Sequence, residues 1–334
     1  MNATMQALVY TAPNTLVLRE TAIPEPGPGE VLVRVAAVGI CGSDMHAYHG
    51  HDSRRPAPLV LGHEAAGIIV SGPRQGERVT INPLVVDPDC PAARAGRPHL
   101  SPTRQIISMP PRPGAFAEYV TIPERNVVPI SEALDFRRAA LAEPLAVGWH
   151  AVRIGLARLD QPAESAAVLV LGGGAIGLAA ALVARRAGVR ALWIAEPNAE
   201  RRALLAGQGG MQAFDPGDDG PSEVDLVIDA VGAAATRAAA SRVVRPGGVI
   251  VHVGLLPGEE GFDIRRITLQ EIILSGSYCY TPEDFVETVA AMEAGELGSL
   301  DWVDERLLSM GQQAFADLDR GAVGAAKVIL VPRP

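Results

Sequence analysis

Val168-Leu169-Val170-Leu171-Gly172-Gly173-Gly174-Ala175-Ile176-Gly177 is the stretch whose reading decides the fold. A β-branched, wholly apolar run passes into three glycines and then into an alanine-rich run, which reads as strand, tight turn and helix. Gly172, Gly174 and Gly177 fit G-x-G-x-x-G in the strand-to-helix setting where that pattern has a physical purpose. The first glycine makes the turn, the second lets the backbone approach a pyrophosphate at the helix N-terminus, and the third lets helix pack closely on strand. A dinucleotide cradle is therefore expected at Gly172, Gly174, Ala175, Ile176 and Gly177. Residues 166–184 carry no charge, a length near that of a membrane span. Because the glycines interrupt it, no membrane segment is expected.

Glu196 follows roughly twenty residues on, at the end of the next apolar run, where a carboxylate accepts hydrogen bonds from ribose hydroxyls. It would repel a 2′-phosphate, so NAD is expected rather than NADP. Arg201, with Arg202 beside it, is the group that would accommodate that phosphate if NADP bound. Around this turn, residues 167–277 alternate apolar strands with helical runs, which predicts a parallel sheet covered on both faces. Upstream, short apolar runs punctuated by Pro and Gly have the texture of an irregular β domain. A change to helix formers near Glu143 and Pro144 marks the junction. One late strand at 327–331 is expected to return to the first domain. The expected domains are 1–143 with 295–334, and 144–294.

Length agrees, since 334 residues at about 150 per domain predict roughly two. With 48% hydrophobic and 20% charged residues the chain is globular rather than disordered. Twenty-nine basic against 38 acidic residues leave a net charge of −9. There is no basic footprint for nucleic acid or for a membrane surface. Lys327 is the only lysine, and on sequence grounds it reads as compositional bias without function. Cys41, Cys90 and Cys279 are too few and too widely spaced for a disulfide framework, which fits a reducing compartment. No basic residue precedes Arg19 and no apolar core of a signal peptide is present, so a cytoplasmic location is expected.

Residues 39–46 read Gly-Ile-Cys-Gly-Ser-Asp-Met-His, followed by Gly62-His63-Glu64 and later by Glu143-Pro144. Thiolate, imidazole and carboxylate are the ligand types of zinc, and three protein ligands with one open position make a catalytic site. Cys41, His63 and either Glu64 or Glu143 can complete the sphere, with the other carboxylate free to hold a zinc-bound water.

Taken together, these motifs, residues 225–232 (DLVIDAVG) and Arg245-Pro246-Gly247-Gly248 resemble the zinc-dependent medium-chain dehydrogenases over nearly the whole chain. Glu143-Pro144-Leu145 most resembles the sorbitol (polyol) and threonine dehydrogenase branch. The resemblance implies an α/β architecture: an irregular β-rich, GroES-like catalytic domain and a Rossmann doubly wound nucleotide domain. It also implies a proton relay through Ser43 and His46, Asp44 as a support, and a homodimer or homotetramer joined through the nucleotide domains. Many relatives bind a second, structural zinc with four cysteines. On this chain those positions fall at Asp87, Cys90, Ala93 and Ser101. One thiolate cannot hold such an ion, so one zinc per chain is expected.

The implied activity is oxidation of a secondary alcohol or polyol to a ketone by hydride transfer to NAD. An amino alcohol of the threonine type is one alternative substrate. A sugar-alcohol phosphate is another, if Arg54 or Arg55 faces the substrate. A methyltransferase has no use for the Cys41, His63 and Glu64 set. A non-catalytic nucleotide-binding relative is disfavoured by retention of Ser43 and every ligand position.

Overall fold

The computed structural model describes residues 3–332, and the chain divides into two compact units. One comprises Pro144–Tyr280 with Glu296–Gly298. Its six strands are all parallel and lie in the order Gln212–Phe214, Ala191–Ala195, Ala167–Leu171, Val224–Asp229, Val244–His252, Ile273–Gly276. That is the 3-2-1-4-5-6 order of the doubly wound fold, which reverses between Ala167–Leu171 and Val224–Asp229. Strand Val224–Asp229 is buried along its whole length, as a central strand covered on both faces must be. Leu169, Val227, Val244 and Ile250 form one core with Ala240. Helix Ala175–Arg186 buries a face of Leu178, Ala179 and Leu182. The uncharged stretch at 166–184 thus divides into strand, turn and helix. No described helix is long and apolar enough to cross a membrane.

Two local differences from the sequence reading have plain causes. Gln212–Phe214 was not anticipated: three half-exposed residues at a sheet edge are too few to show a period of two. Strand Val244–His252 starts earlier than its apolar core, running through Arg245-Pro246-Gly247-Gly248. An ion pair of Arg245 with Asp225 holds that entry in place.

The other unit contains the chain up to Glu143, Thr281–Gly295 and the segment from Ser299 onward. Helix Pro282–Glu293 therefore falls in this unit rather than with the nucleotide domain, and Ser131 N–H donates to Glu293 Oε1 (2.8 Å). Strand Glu30–Gly39 is the hub. It pairs antiparallel with Glu64–Ile69 and Tyr119–Pro123, and through Val38 and Gly39 with Lys327–Val331. The last strand also pairs parallel with Val303–Leu307, a polar strand (Val-Asp-Glu-Arg-Leu) whose sequence carries no strand signal. Val33, Ile69, Ile81, Phe116, Ile122, Phe315 and Leu330 fill the core, with Phe116 and Phe315 edge to face at 5.8 Å.

Gly177 shows how tightly the nucleotide turn is built, because a Cβ there would lie 1.7 Å from the carbonyl oxygen of Gly172. Gly177→Ala is expected to cost about 2 kcal/mol or more, seen as a lower urea midpoint. An unchanged midpoint would show that the helix can move off the turn.

Candidate active site

The hub strand ends at Gly39, and Cys41 begins helix Gly42–Tyr48 at its N-cap. The fixed point of this corner is Asp44, which is completely buried. Its carboxylate accepts from the backbone N–H of Cys41 (3.0 Å) and of Gly62 (3.3 Å) and lies 3.5 Å from His63 Nδ1. One side chain thus ties together the two loops that carry the thiol and the imidazole. Engaging Nδ1 leaves Nε2 of His63 for a ligand, the arrangement in which a carboxylate orients a metal-binding histidine. Ser108 Oγ, also near Nδ1 (3.5 Å), is a support that sequence gave no reason to select. Burial opposes charge on both groups, yet their mutual attraction wins: His63 is lifted well above the usual histidine range and Asp44 is held below the usual carboxylate range.

Cys41, His63 and Glu64 each offer a ligand atom, all within 4.8 Å of one another. Glu64 is fully buried, and its Oε2 has no hydrogen-bond partner. A buried carboxylate oxygen left unpartnered is costly, and a divalent cation beside the thiol and imidazole would satisfy it. The donor set and spacing therefore fit a tetrahedral zinc with one open position. Gly39 is required here, since a Cβ would stand 2.0 Å from that same Oε2. Glu143, buried in the first turn of helix Ala142–Leu156, lies outside this ligand cluster.

Lys327, set aside from sequence, belongs to the site. Its ammonium is buried, donating to Glu64 Oε1 (2.6 Å) and to the carbonyl of Ile40 (2.9 Å). Burial would lower its pKa, but Glu64, Cys41 and Glu143 outweigh this and raise it. The available signal was its uniqueness in a chain with 29 basic residues in all. Among them only this position keeps a compact ammonium in place of a planar guanidinium.

Ser43 and His46 lie half-buried on the same helix. Burial, then the nearby His49, hold the His46 pKa below the ordinary value. Arg54 and Arg55 both bind Asp52. Arg55 is buried, donating also to the carbonyls of Ser43 (3.0 Å) and Ser108 (3.1 Å). These guanidinium groups brace the loop, and Arg55 in particular is turned inward onto the protein.

The segment expected to lack a structural zinc is held by local bonds. Cys90 Sγ accepts from Ala93 N–H (3.4 Å) as the N-cap of helix Pro91–Arg94, Asp87 closes a turn onto Asp89 N–H (2.9 Å), and Ser101 Oγ meets Thr103 Oγ1 (3.1 Å). Asn126, beyond the segment, donates its Nδ2 to the carbonyls of Asn82 (2.9 Å) and Leu84 (2.6 Å) just before it.

In the nucleotide unit, Gly172 adopts φ +97°, and Gly174 caps helix Ala175–Arg186 with open space before it. Glu196 is buried at the end of Ala191–Ala195. Its oxygens accept from Gly173 N–H (2.8 Å) and Asn198 N–H (2.9 Å), and Arg201 Nη1 is 3.6 Å from Oε1. The expected cofactor residues Gly172, Gly174, Ala175, Ile176, Gly177, Glu196 and Arg201 all gather at the C-terminal ends of two adjacent parallel strands, where this fold binds dinucleotides.

Comparison with known proteins agrees. The alcohol dehydrogenase GroES-like domain matches residues 27–132, and the zinc-binding dehydrogenase model matches 175–294. L-galactonate-5-dehydrogenase of Escherichia coli K12 is 34% identical over 311 residues, 88% of this chain and 89% of its own. A Sinorhizobium meliloti 1021 structure described as a zinc-binding dehydrogenase bound to NADP superposes with a TM-score of 0.89 at 30% identity, covering 99% of this chain and 100% of that one. An Escherichia coli CFT073 alcohol dehydrogenase complexed with NADH gives 0.89 at 27%, with the same coverage. The chain belongs to the zinc-binding medium-chain dehydrogenase family, in its polyol and threonine dehydrogenase-like branch. Its members are oxidoreductases that act on CH–OH groups with a nicotinamide cofactor.

Lys327→Met removes the partner of a buried carboxylate and is expected to destabilise the fold by about 3 kcal/mol. Adding Glu64→Gln should recover most of that loss in denaturant titrations. A double variant as unstable as the sum of the singles would show that the pair is not coupled.

Proposed function

We propose that this chain oxidises a secondary alcohol of a polyol or polyhydroxy acid to a ketone with NAD, using one zinc per chain held by Cys41, His63 and Glu64. The observation that carries this reading is the convergence of thiol, imidazole and an unpartnered buried carboxylate oxygen within 4.8 Å. When bound, zinc supplies Lewis-acid polarisation of the substrate oxygen, and the nicotinamide supplies the hydride acceptor. Asp44 fixes the imidazole tautomer, and Lys327 holds one oxygen of Glu64 so that the other faces the thiol and imidazole. Ser43 takes the hydroxyl proton, and His46, kept neutral by burial, accepts it on the way to solvent. Gly172, Gly174, Ala175, Ile176 and Gly177 cradle the pyrophosphate. Glu196 binds the adenosine ribose and disfavours a 2′-phosphate, with Arg201 beside it. The substrate class follows the polyhydroxy acid named for the Escherichia coli K12 relative and the commitment of Arg54 and Arg55 to Asp52.

A homodimer or homotetramer through the nucleotide unit belongs to the same reading. The edge strand Ile273–Gly276 exposes Ile273 and Leu274, and Ile264 and Leu269 on the preceding helix are exposed too. Free cysteines at 41, 90 and 279 suit a reducing, cytoplasmic setting.

Metal analysis is expected to give one zinc per chain, and Cys41→Ser to abolish turnover while NADH binding persists. Turnover unchanged by that substitution would remove the zinc mechanism. Initial rates with NAD and NADP across polyols, sugar acids, amino alcohols and phosphorylated polyols should favour NAD with an unphosphorylated polyhydroxy substrate. A faster rate with threonine or with a phosphate ester would replace the substrate assignment. Light scattering should report two or four chains per particle, and Ile273→Lys with Leu274→Lys should release monomers.

A further inference from the structure

His252 stands at the last position of strand Val244–His252, where sequence favours a packing role. In the register of the sheet it is level with Asp229, Asp229 with Leu171, and Leu171 with Ala195, the residue before Glu196. Glu196, the glycine turn, Asp229 and His252 therefore lie in one row along the C-terminal edge of four adjacent strands. Three inter-strand steps from Ala191–Ala195 to Val244–His252 amount to about 14 Å. A dinucleotide with its adenosine ribose at Glu196 and its pyrophosphate at the glycine turn continues across Val224–Asp229 and brings its nicotinamide riboside end to His252.

The histidine is prepared for a ligand. Its Nδ1 lies 3.1 Å from Asp229 Oδ2. Asp229 is completely buried, and its other oxygen accepts from Val231 N–H (3.1 Å) and Gly232 N–H (2.9 Å). Burial opposes ionisation of Asp229, but these bonds, His252 first among them, hold its pKa low. A carboxylate only accepts, so Nδ1 carries the hydrogen, and the tautomer this selects is the one with the Nε2 lone pair open to a donor. The Asp229 side chain has no solvent exposure, whereas the His252 side chain keeps 24%. The backbone around the pair is fixed: Val253 and Gly254 N–H both donate to the carbonyl of Asp229 (2.9 and 3.0 Å). The two following loops approach so closely that a Cβ on Gly254 would stand 2.0 Å from Val231 C.

We propose that His252 is a cofactor-binding residue, its Nε2 accepting a hydrogen bond from an amide N–H or ribose hydroxyl at the nicotinamide riboside end. Asp229 acts through it, as the positioning residue that sets the tautomer. This rests on the nicotinamide-cofactor reading above.

The competing role is packing, since His252 lies edge-on to Phe262 with ring centroids 5.4 Å apart. His252→Phe separates the two, because it keeps an aromatic ring against Phe262 and removes the acceptor. NADH and ADP are titrated into wild type, His252→Phe and His252→Ala by calorimetry. ADP lacks the nicotinamide riboside, so it reports on the adenosine end and on the folding of the unit. Both variants are expected to bind NADH about fivefold more weakly while ADP affinity stays at the wild-type value. NADH binding by His252→Phe equal to wild type overturns the proposal in favour of packing. Parallel weakening of ADP and NADH overturns it in favour of a structural role. Failure of wild type to bind either ligand is instead the failure of the nucleotide reading itself, and the proposal falls with it.

Discussion

The ammonium of Lys327 and the carboxylate of Glu64 meet 2.6 Å apart with both side chains almost wholly out of solvent, from positions 263 residues apart in the chain. Removing both charges from water is expensive, and the pair persists only if each ion is well placed and well bonded. The hub strand Glu30–Gly39 meets that condition from two sides. It pairs with Glu64–Ile69 along one flank and with Lys327–Val331 along the other. The ion pair thus links the last strand to the site, and the candidate third donor atom is set by it. With Oε1 of Glu64 held by Lys327, Oε2 is the oxygen left to face Cys41 and His63.

What could be read in the sequence was chemistry that sits close together along the chain. The glycine turn, Glu196, and the Cys41, His63 and Glu64 motifs depend on short spacings and on residue types with narrow uses. Asp44 came only through the family resemblance, and the fold shows its use: three residues from Cys41, it accepts from that residue's backbone N–H. Lys327 was not, because its partner is brought to it only by sheet pairing. Arg55 was left open between a solvated loop residue and a phosphate ligand for a related reason. A surface charge between two motifs suggests a ligand, but folding turned it inward onto Asp52 and two carbonyls. Val303–Leu307 and Gln212–Phe214 stayed hidden because a polar strand and a three-residue edge strand carry no apolar period. Glu64 and Glu143 were equivalent on sequence grounds, and only the fold separates them by placing Glu64 within the ligand cluster.

Cys90 stands in a segment, 87–101, that short-range bonds hold. The Cys90 thiol takes a helix N-cap, Asp87 and Ser101 close turns, and Asn126 bonds the carbonyls of Asn82 and Leu84 just before the segment. Each of these bonds contributes little alone. They act where the backbone already turns.

Lys327 has a consequence outside catalysis. As the only lysine, with 4% of its surface exposed, it leaves the folded chain with no accessible side-chain amine. Acylating reagents, amine-directed cross-linkers and amine-coupled surfaces therefore have no lysine to attack while the β-rich unit stays closed. Acylation at this one position becomes a clock for opening of the last strand, recorded by a single mass increment on a single peptide.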